Sequence, residues 1–273
     1  MPFRISISFL PLVLLFVIAV PTSHARMESL TPEQMRSAVF VETIYLPTPG
    51  EFFTALDKRC QPNWTQLVKA SVPVNTSRRE HLALQLGVLM ADGFIAIEAH
   101  DGQSVKNTSR DIFNLSKKLN VSQNVLPRVQ SINNFADESR WSTLREELDA
   151  AHNDIRLSML EQKDHDLVVF MSLGSWVRQM QLASGLIAQR YDQAASALLV
   201  QPAVVGHLID RLNAMPEKTR DTTLVKQLVA SMESVRSKMS KEPVASLTEP
   251  EVTELAGFMS TMLHATAEPP PKS

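Results

Sequence analysis

From His81 to Ile97 the chain runs His-Leu-Ala-Leu-Gln-Leu-Gly-Val-Leu-Met-Ala-Asp-Gly-Phe-Ile-Ala-Ile, apolar on nearly every side of a helix and too long for one buried strand. A segment of this kind is expected to lie at the centre of a bundle. Its polar exceptions are ordered. At about 100° per residue, Arg78, His81, Gln85 and Asp92 fall within a sector of roughly 60°, and Ala96 and Ala99 continue the strip.

A second strongly apolar stretch contains Phe170-Met171-Ser172-Leu173-Gly174-Ser175-Trp176-Val177-Arg178, in which Leu173-Gly174 faintly echoes Leu86-Gly87. An ionised Asp92 inside the bundle needs a partner, because an unpaired buried carboxylate costs several kcal/mol or takes up a proton. Arg178 is the best candidate. The two helices are therefore expected to pack on each other, with Gly87, Gly93, Gly174 and Gly185 allowing close backbone approach. Arg78, His81, Gln85, Asp92 and Arg178 form the candidate set, read either as a polar network that fixes helix register or as the lining of a ligand pocket.

Helix-start signals recur elsewhere. Thr31-Pro32-Glu33-Gln34, Thr48-Pro49-Gly50-Glu51, Ser77-Arg78-Arg79-Glu80 and Thr248-Glu249-Pro250-Glu251 each place a hydroxyl at an N-cap with Glu or Gln three residues on, and Asn63 before Trp64 is a related start. No segment shows sustained period-2 alternation between hairpin turns. Helices are predicted near 32–44, 50–58, 64–70, 78–100, 109–118, 123–134, 138–162, 165–199, 203–213, 221–239 and 249–264. The expected fold is an all-α, single-domain multi-helix bundle built around two long apolar helices, about 78–100 and 165–199.

The N-terminus reads as a secretory signal: Arg4, an apolar run from Phe9 to Val20, and a small-residue exit at Ser23-His24-Ala25. Cleavage after Ala25 leaves an all-α domain over 26–267 and a Pro-rich tail, 268–273, with nothing to bury. The mature protein is then periplasmic or extracellular, with no membrane insertion after cleavage. Cys60 is the only cysteine, so no intrachain disulfide can form.

Catalytic signatures are missing: there is no G-x-S-x-G, H-E-x-x-H, phosphate-binding glycine loop or C-x-x-C-H. No catalytic residue, cofactor or metal site is assigned. Two weaker metal patterns were weighed: Glu161 with His165 and Glu147 with His152 on a charged stretch, and Met259, Met262 and His264 near the C-terminus, where thioethers would suit Cu(I). Methionine as core filler is the plainer reading of the second. With 27 Lys+Arg against 29 Asp+Glu, nothing draws nucleic acid.

Asn63-Trp64-Thr65, Asn75-Thr76-Ser77, Asn107-Thr108-Ser109, Asn114-Leu115-Ser116 and Asn120-Val121-Ser122 match the glycosylation sequon, a pattern that helix caps and turns also produce. The sequence thus points to an exported, non-enzymatic binding or interaction module with an unknown protein partner or small ligand. A small-ligand bundle with a polar site around Asp92 and Arg178 is the alternative, and a Met/His metal-handling protein the second alternative.

Overall fold

Thr48 begins the described chain as an N-cap in both directions: its hydroxyl accepts from the Glu51 amide at 3.2 Å while its own amide donates to the Glu51 carboxylate at 2.9 Å. This capping box opens α1 (Pro49–Cys60) with proline at the first helical position, where no N–H is missed. The structure, a computed structural model, describes residues 48–70, 76–239 and 246–267. The signal expected over 1–25, the helix expected near 32–44 and the Pro-rich tail lie outside the described residues.

The short α2 (Trp64–Leu67) is followed by α3 (Arg79–Glu98), α4 (Gly102–Lys118), α5 (Val125–Asp137), α6 (Trp141–Glu161) and α7 (His165–Gln189). Beyond them come the four-residue α8 (Gln193–Ser196) running into a 3₁₀ turn (Ala197–Leu199), then α9 (Pro202–Asn213), the short α10 (Glu217–Arg220), α11 (Thr223–Met239) and α12 (Glu249–Ala267). Among the described residues there is no strand, and the fold is a single all-α multi-helix bundle.

α3 lies at its centre. Of its 20 residues, 15 are buried, and it packs on α7 more extensively than any other helix pair in the bundle. α4 and α6 also cover it, α5 joins α4 to α6, α12 lies along α7, and α9 pairs with α11. By length and composition α3 is also the one helix among the described residues able to cross a bilayer. Here its apolar surface is used up against other helices.

The second expected long apolar helix is corrected. α7 ends at Gln189, ten residues before the predicted 199, because Arg190 leaves helical geometry and the Asp192 side chain accepts from the Ala195 amide at 2.6 Å to start α8. It also buries more polar side chains than α3, with Ser175, Arg178, Gln179 and Ser184 against His81 alone. Among the described residues α3 is thus the one long apolar helix.

Two caps also differ from expectation. α3 starts one residue late, with Arg78 at the N-cap and no side-chain cap from Ser77. Asn63 makes no side-chain cap bond either. Asp101, not anticipated, caps α4 through the Ser104 amide at 2.9 Å.

The turns between α3 and α7 share one solution. His100, Asn120, Ser139 and Lys163 all have left-handed φ, from 54° to 63°. In each case the next amide reaches back to a carbonyl five residues earlier, as in Asp101 N to Ala96 O and Asp164 N to Met159 O, both close to 3 Å. These are Schellman closures made without glycine. A side chain in that conformation costs about 1 kcal/mol or more, so Ser139→Gly and Lys163→Gly should each stabilise the fold by about 1 kcal/mol. Asn120→Gly should gain less, since asparagine tolerates this region. His100→Gly should gain little, because it loses the stacking of His100 on Trp141 at 4.8 Å. Urea titration of the four variants checks the order.

Candidate functional site

Because α3 and α7 cross at their glycines, the polar strip meets a partner only where the neighbouring helix offers one. On the C-terminal side of both Gly87 and Gly174, Arg178 Nε donates to Asp92 Oδ1 at 2.7 Å, the pairing expected from the sequence, and Arg178 Nη1 also donates to Gln181. The arginine side chain is 3% exposed and the aspartate 24%, so the cation is shut in while the carboxylate touches solvent.

The other members go elsewhere. Gln85 Nε2 donates to the Thr266 carbonyl of α12 at 2.8 Å, tying the last helix to the central one. His81 is 1% exposed, and neither ring nitrogen has a hydrogen-bond partner among the described residues. Burial holds its pKa below the ordinary histidine value, the Arg78 charge adds to this, and Glu80 opposes it. Arg78 itself is exposed. The structure thus joins Asp92 to Arg178 and leaves Arg78, His81 and Gln85 as separate contacts rather than one lined pocket.

A second polar cluster sits where α1 meets α6, and sequence reasoning passed over it. Asp149 is partly buried. A Cβ on Gly50 would fall 2.8 Å from Asp149 Oδ2, and Oδ1 is buried without a partner among the described residues. Burial pushes its pKa up from 3.8 to about 6, with the Thr48 hydroxyl opposing, Glu51 adding and Arg145 opposing. Arg145 is held by Glu98 of α3. His152, one turn further along α6, has its Nε2 edge buried and its pKa driven down to about 4 by desolvation, with Arg156 adding to the effect. The signal for it in the sequence is Asp149 three residues before His152 on the same helix, within the charged stretch that holds Glu147 and Glu161.

The two groups respond to pH with opposite sign. Asp149 binds its proton more tightly folded than unfolded, so its contribution is full below about 3.8 and is lost as pH rises through about 6. His152 is the reverse: its contribution is full above about 6.5 and lost as pH falls through about 4. A change from 3.8 to about 6 corresponds to about 3 kcal/mol, trimmed to about 2 kcal/mol by the solvent Asp149 retains. Asp149→Asn should therefore raise stability at pH 8 by about 2 kcal/mol and give no gain at pH 3.5. Denaturation curves at the two pH values decide it, and an equal gain at both would refute the assignment.

The metal patterns come apart. Glu147 is engaged by Arg128 at 3.2 Å, and Asp164 sits at the N-cap of α7 without a side-chain cap bond and instead meets Arg79 at 2.6 Å. Glu161 and His165 stand on either side of that turn, at the end of α6 and the start of α7. Met259 and Met262 are buried while His264 is exposed, and Met159, Met171, Met180, Met232 and Met239 fill the core. No group of three or more His, Cys, Asp or Glu placed to hold a metal occurs among the described residues. Cys60 is half-buried, and burial pushes its thiol pKa up, with Asp192 adding to the effect.

Comparisons with protein-family models, with curated proteins and with solved structures return no match.

Proposed function

We propose that the chain is an exported, non-enzymatic binding or interaction module. The observation that supports this is the use made of the polar strip. Arg178 bonds both Asp92 and Gln181, and Gln85 bonds Thr266, so these groups are spent on holding α3, α7 and α12 in register, and His81 is the one buried member of the strip without a partner among the described residues. A satisfied ion pair between packed helices is chemically quiet.

The surface does not display a ready-made apolar groove on the last helices. Among the described residues Leu126 is the one large hydrophobic that is exposed, at 45%. A protein partner on this reading is recognised through polar and mixed surface rather than by a hydrophobic patch.

Two measurements test the reading. A thermal-shift screen of the secreted protein against metals and small metabolites, with Asp92→Asn alongside, should give no stabilised sample, the variant simply melting lower. A ligand that raises the wild-type Tm and loses its effect in Asp92→Asn would establish the pocket reading instead. For export, mass spectrometry of the secreted product should find Arg26 at its N-terminus. A chain retained in the cell with Met1 and the apolar run intact would refute it.

A further inference from the structure

The five sequons are more than composition accounts for, and the fold sorts them. The chain has ten asparagines, and 42 of its 273 residues are Ser or Thr, so about one or two sequons would arise by chance where five occur. All five lie between residues 63 and 122. Asn75 lies outside the described residues. The other four divide into two kinds.

Asn63 and Thr65 are both exposed at the turn into the four-residue α2, and the Asn63 side chain makes no cap bond. Asn120 is exposed in the tight turn between α4 and α5, at φ 62°, and the bonds that hold it use its own backbone: its amide reaches Lys117 O at 3.1 Å and its carbonyl accepts from the side chain of Gln162 at 2.6 Å. Both asparagines are exposed outside the body of a long helix, whereas Asn114, though exposed, lies within α4.

Asn107 and Asn114 stand inside α4, where residues two apart do not face each other, so the hydroxyl at the third position cannot reach the asparagine amide. Those hydroxyls are also committed. Ser109 Oγ donates to Lys106 O at 3.0 Å and Ser116 Oγ to Ile112 O at 2.8 Å, and both serines are buried. Asn107 Oδ1 accepts from Gln103 at 3.1 Å and Arg110 at 3.2 Å.

We propose that Asn63 and Asn120 are N-glycosylation sites and that Asn107 and Asn114 are passed over, a proposal that rests on the export reading. In the reaction the asparagine Nδ2 displaces the diphosphate from the anomeric carbon of a polyisoprenyl-diphosphate oligosaccharide. The N–C bond forms, the C–O bond to phosphate breaks, the amide loses one proton, and polyisoprenyl diphosphate leaves. The transferase meets a chain still being made and takes a sequon in an extended form, so one inside a helix is closed to it while one at a helix end, which frays readily, opens at little cost. α4 closes early: it follows α3 by a short turn, is capped by Asp101, and helices form in about a microsecond while synthesis runs at roughly 5–20 residues per second.

The test is cell-free translation of the full chain, carrying Asn75→Gln, with endoplasmic-reticulum microsomes. The expected product is protease-protected and migrates two glycan steps higher, both removed by peptide N-glycosidase. Asn63→Gln and Asn120→Gln, or Thr65→Ala and Ser122→Ala, should each remove one step, and Asn107→Gln and Asn114→Gln none. A protected chain with no step, or with a step lost in Asn107→Gln or Asn114→Gln, overturns the site assignment while leaving export intact. An unprotected chain overturns export and the glycosylation proposal with it.

Discussion

Gly174→Ala should destabilise the protein by about 3 kcal/mol or more, and Gly87→Ala by a similar amount, while Gly185→Ala on the same helix as Gly174 should stabilise it by about 0.5–1 kcal/mol. A Cβ on Gly174 would lie 2.0 Å from Leu84 O, and one on Gly87 only 1.9 Å from Met171 O and 2.7 Å from Ser175 N. The obstacles are backbone atoms of the facing helix and cannot rotate away. The helices would have to separate, opening the packing of Leu84, Met90, Phe170 and Val177, all fully buried around the crossing. At Gly185 a Cβ meets nothing within 4 Å, so only the helix-propensity gain remains, and the close approach expected there from sequence does not occur. Gly93 is intermediate, its Cβ meeting the flexible end of Leu148 at 2.8 Å. Denaturant midpoints for the set would show the sign change within α7. A Gly174→Ala protein as stable as wild type would mean that α3 and α7 do not cross there.

Breaking the Asp92–Arg178 pair should be asymmetric. Asp92→Asn leaves a guanidinium that is 3% exposed with Gln181 as its remaining partner, and should cost about 3 kcal/mol. Arg178→Met leaves a carboxylate that is 24% exposed and able to take up water, and should cost less, about 1–2 kcal/mol. The double variant should be more stable than the sum of the two losses predicts, by at least about 1 kcal/mol, because it leaves no stranded charge. Equal single losses that add would mean the pair does not form in solution.

Much of this was legible in advance for definite reasons. The His81–Ile97 stretch has only a narrow polar line and no broad polar face to turn outward, so burial at the centre of a helical bundle followed from its residues and their spacing. Thr48 and Glu51 stand three residues apart beside a proline, which fixes a helix start by local chemistry, and the reciprocal bonds are present. Ser77 with Glu80 has the same spacing but does not cap α3, because the chain enters that helix one residue later, with the Thr76 hydroxyl bonding the Arg78 amide at 3.2 Å. The end of α7 was overrun because apolar spacing continues through Leu198 and Leu199. Only the Asp192 cap and the bond from Tyr191 to the Leu247 carbonyl, 56 residues on, reveal the break.

The candidate site shows the same division. The sequence could place Asp92 and Arg178 each inside an apolar helix, and charge in such surroundings demands its opposite. It could not show that His81 and Gln85, on the same strip of α3, face different neighbours, or that Asp149 is covered by the N-terminus of α1, some hundred residues away. Periodicity reports which side of a helix is buried, and local chemistry reports where a helix begins. What lies opposite each buried residue is set by long-range packing, which here alone decided that two glycines touch the facing backbone, that His81 meets no hydrogen-bond partner among the described residues, and that the polar strip is divided among several neighbours.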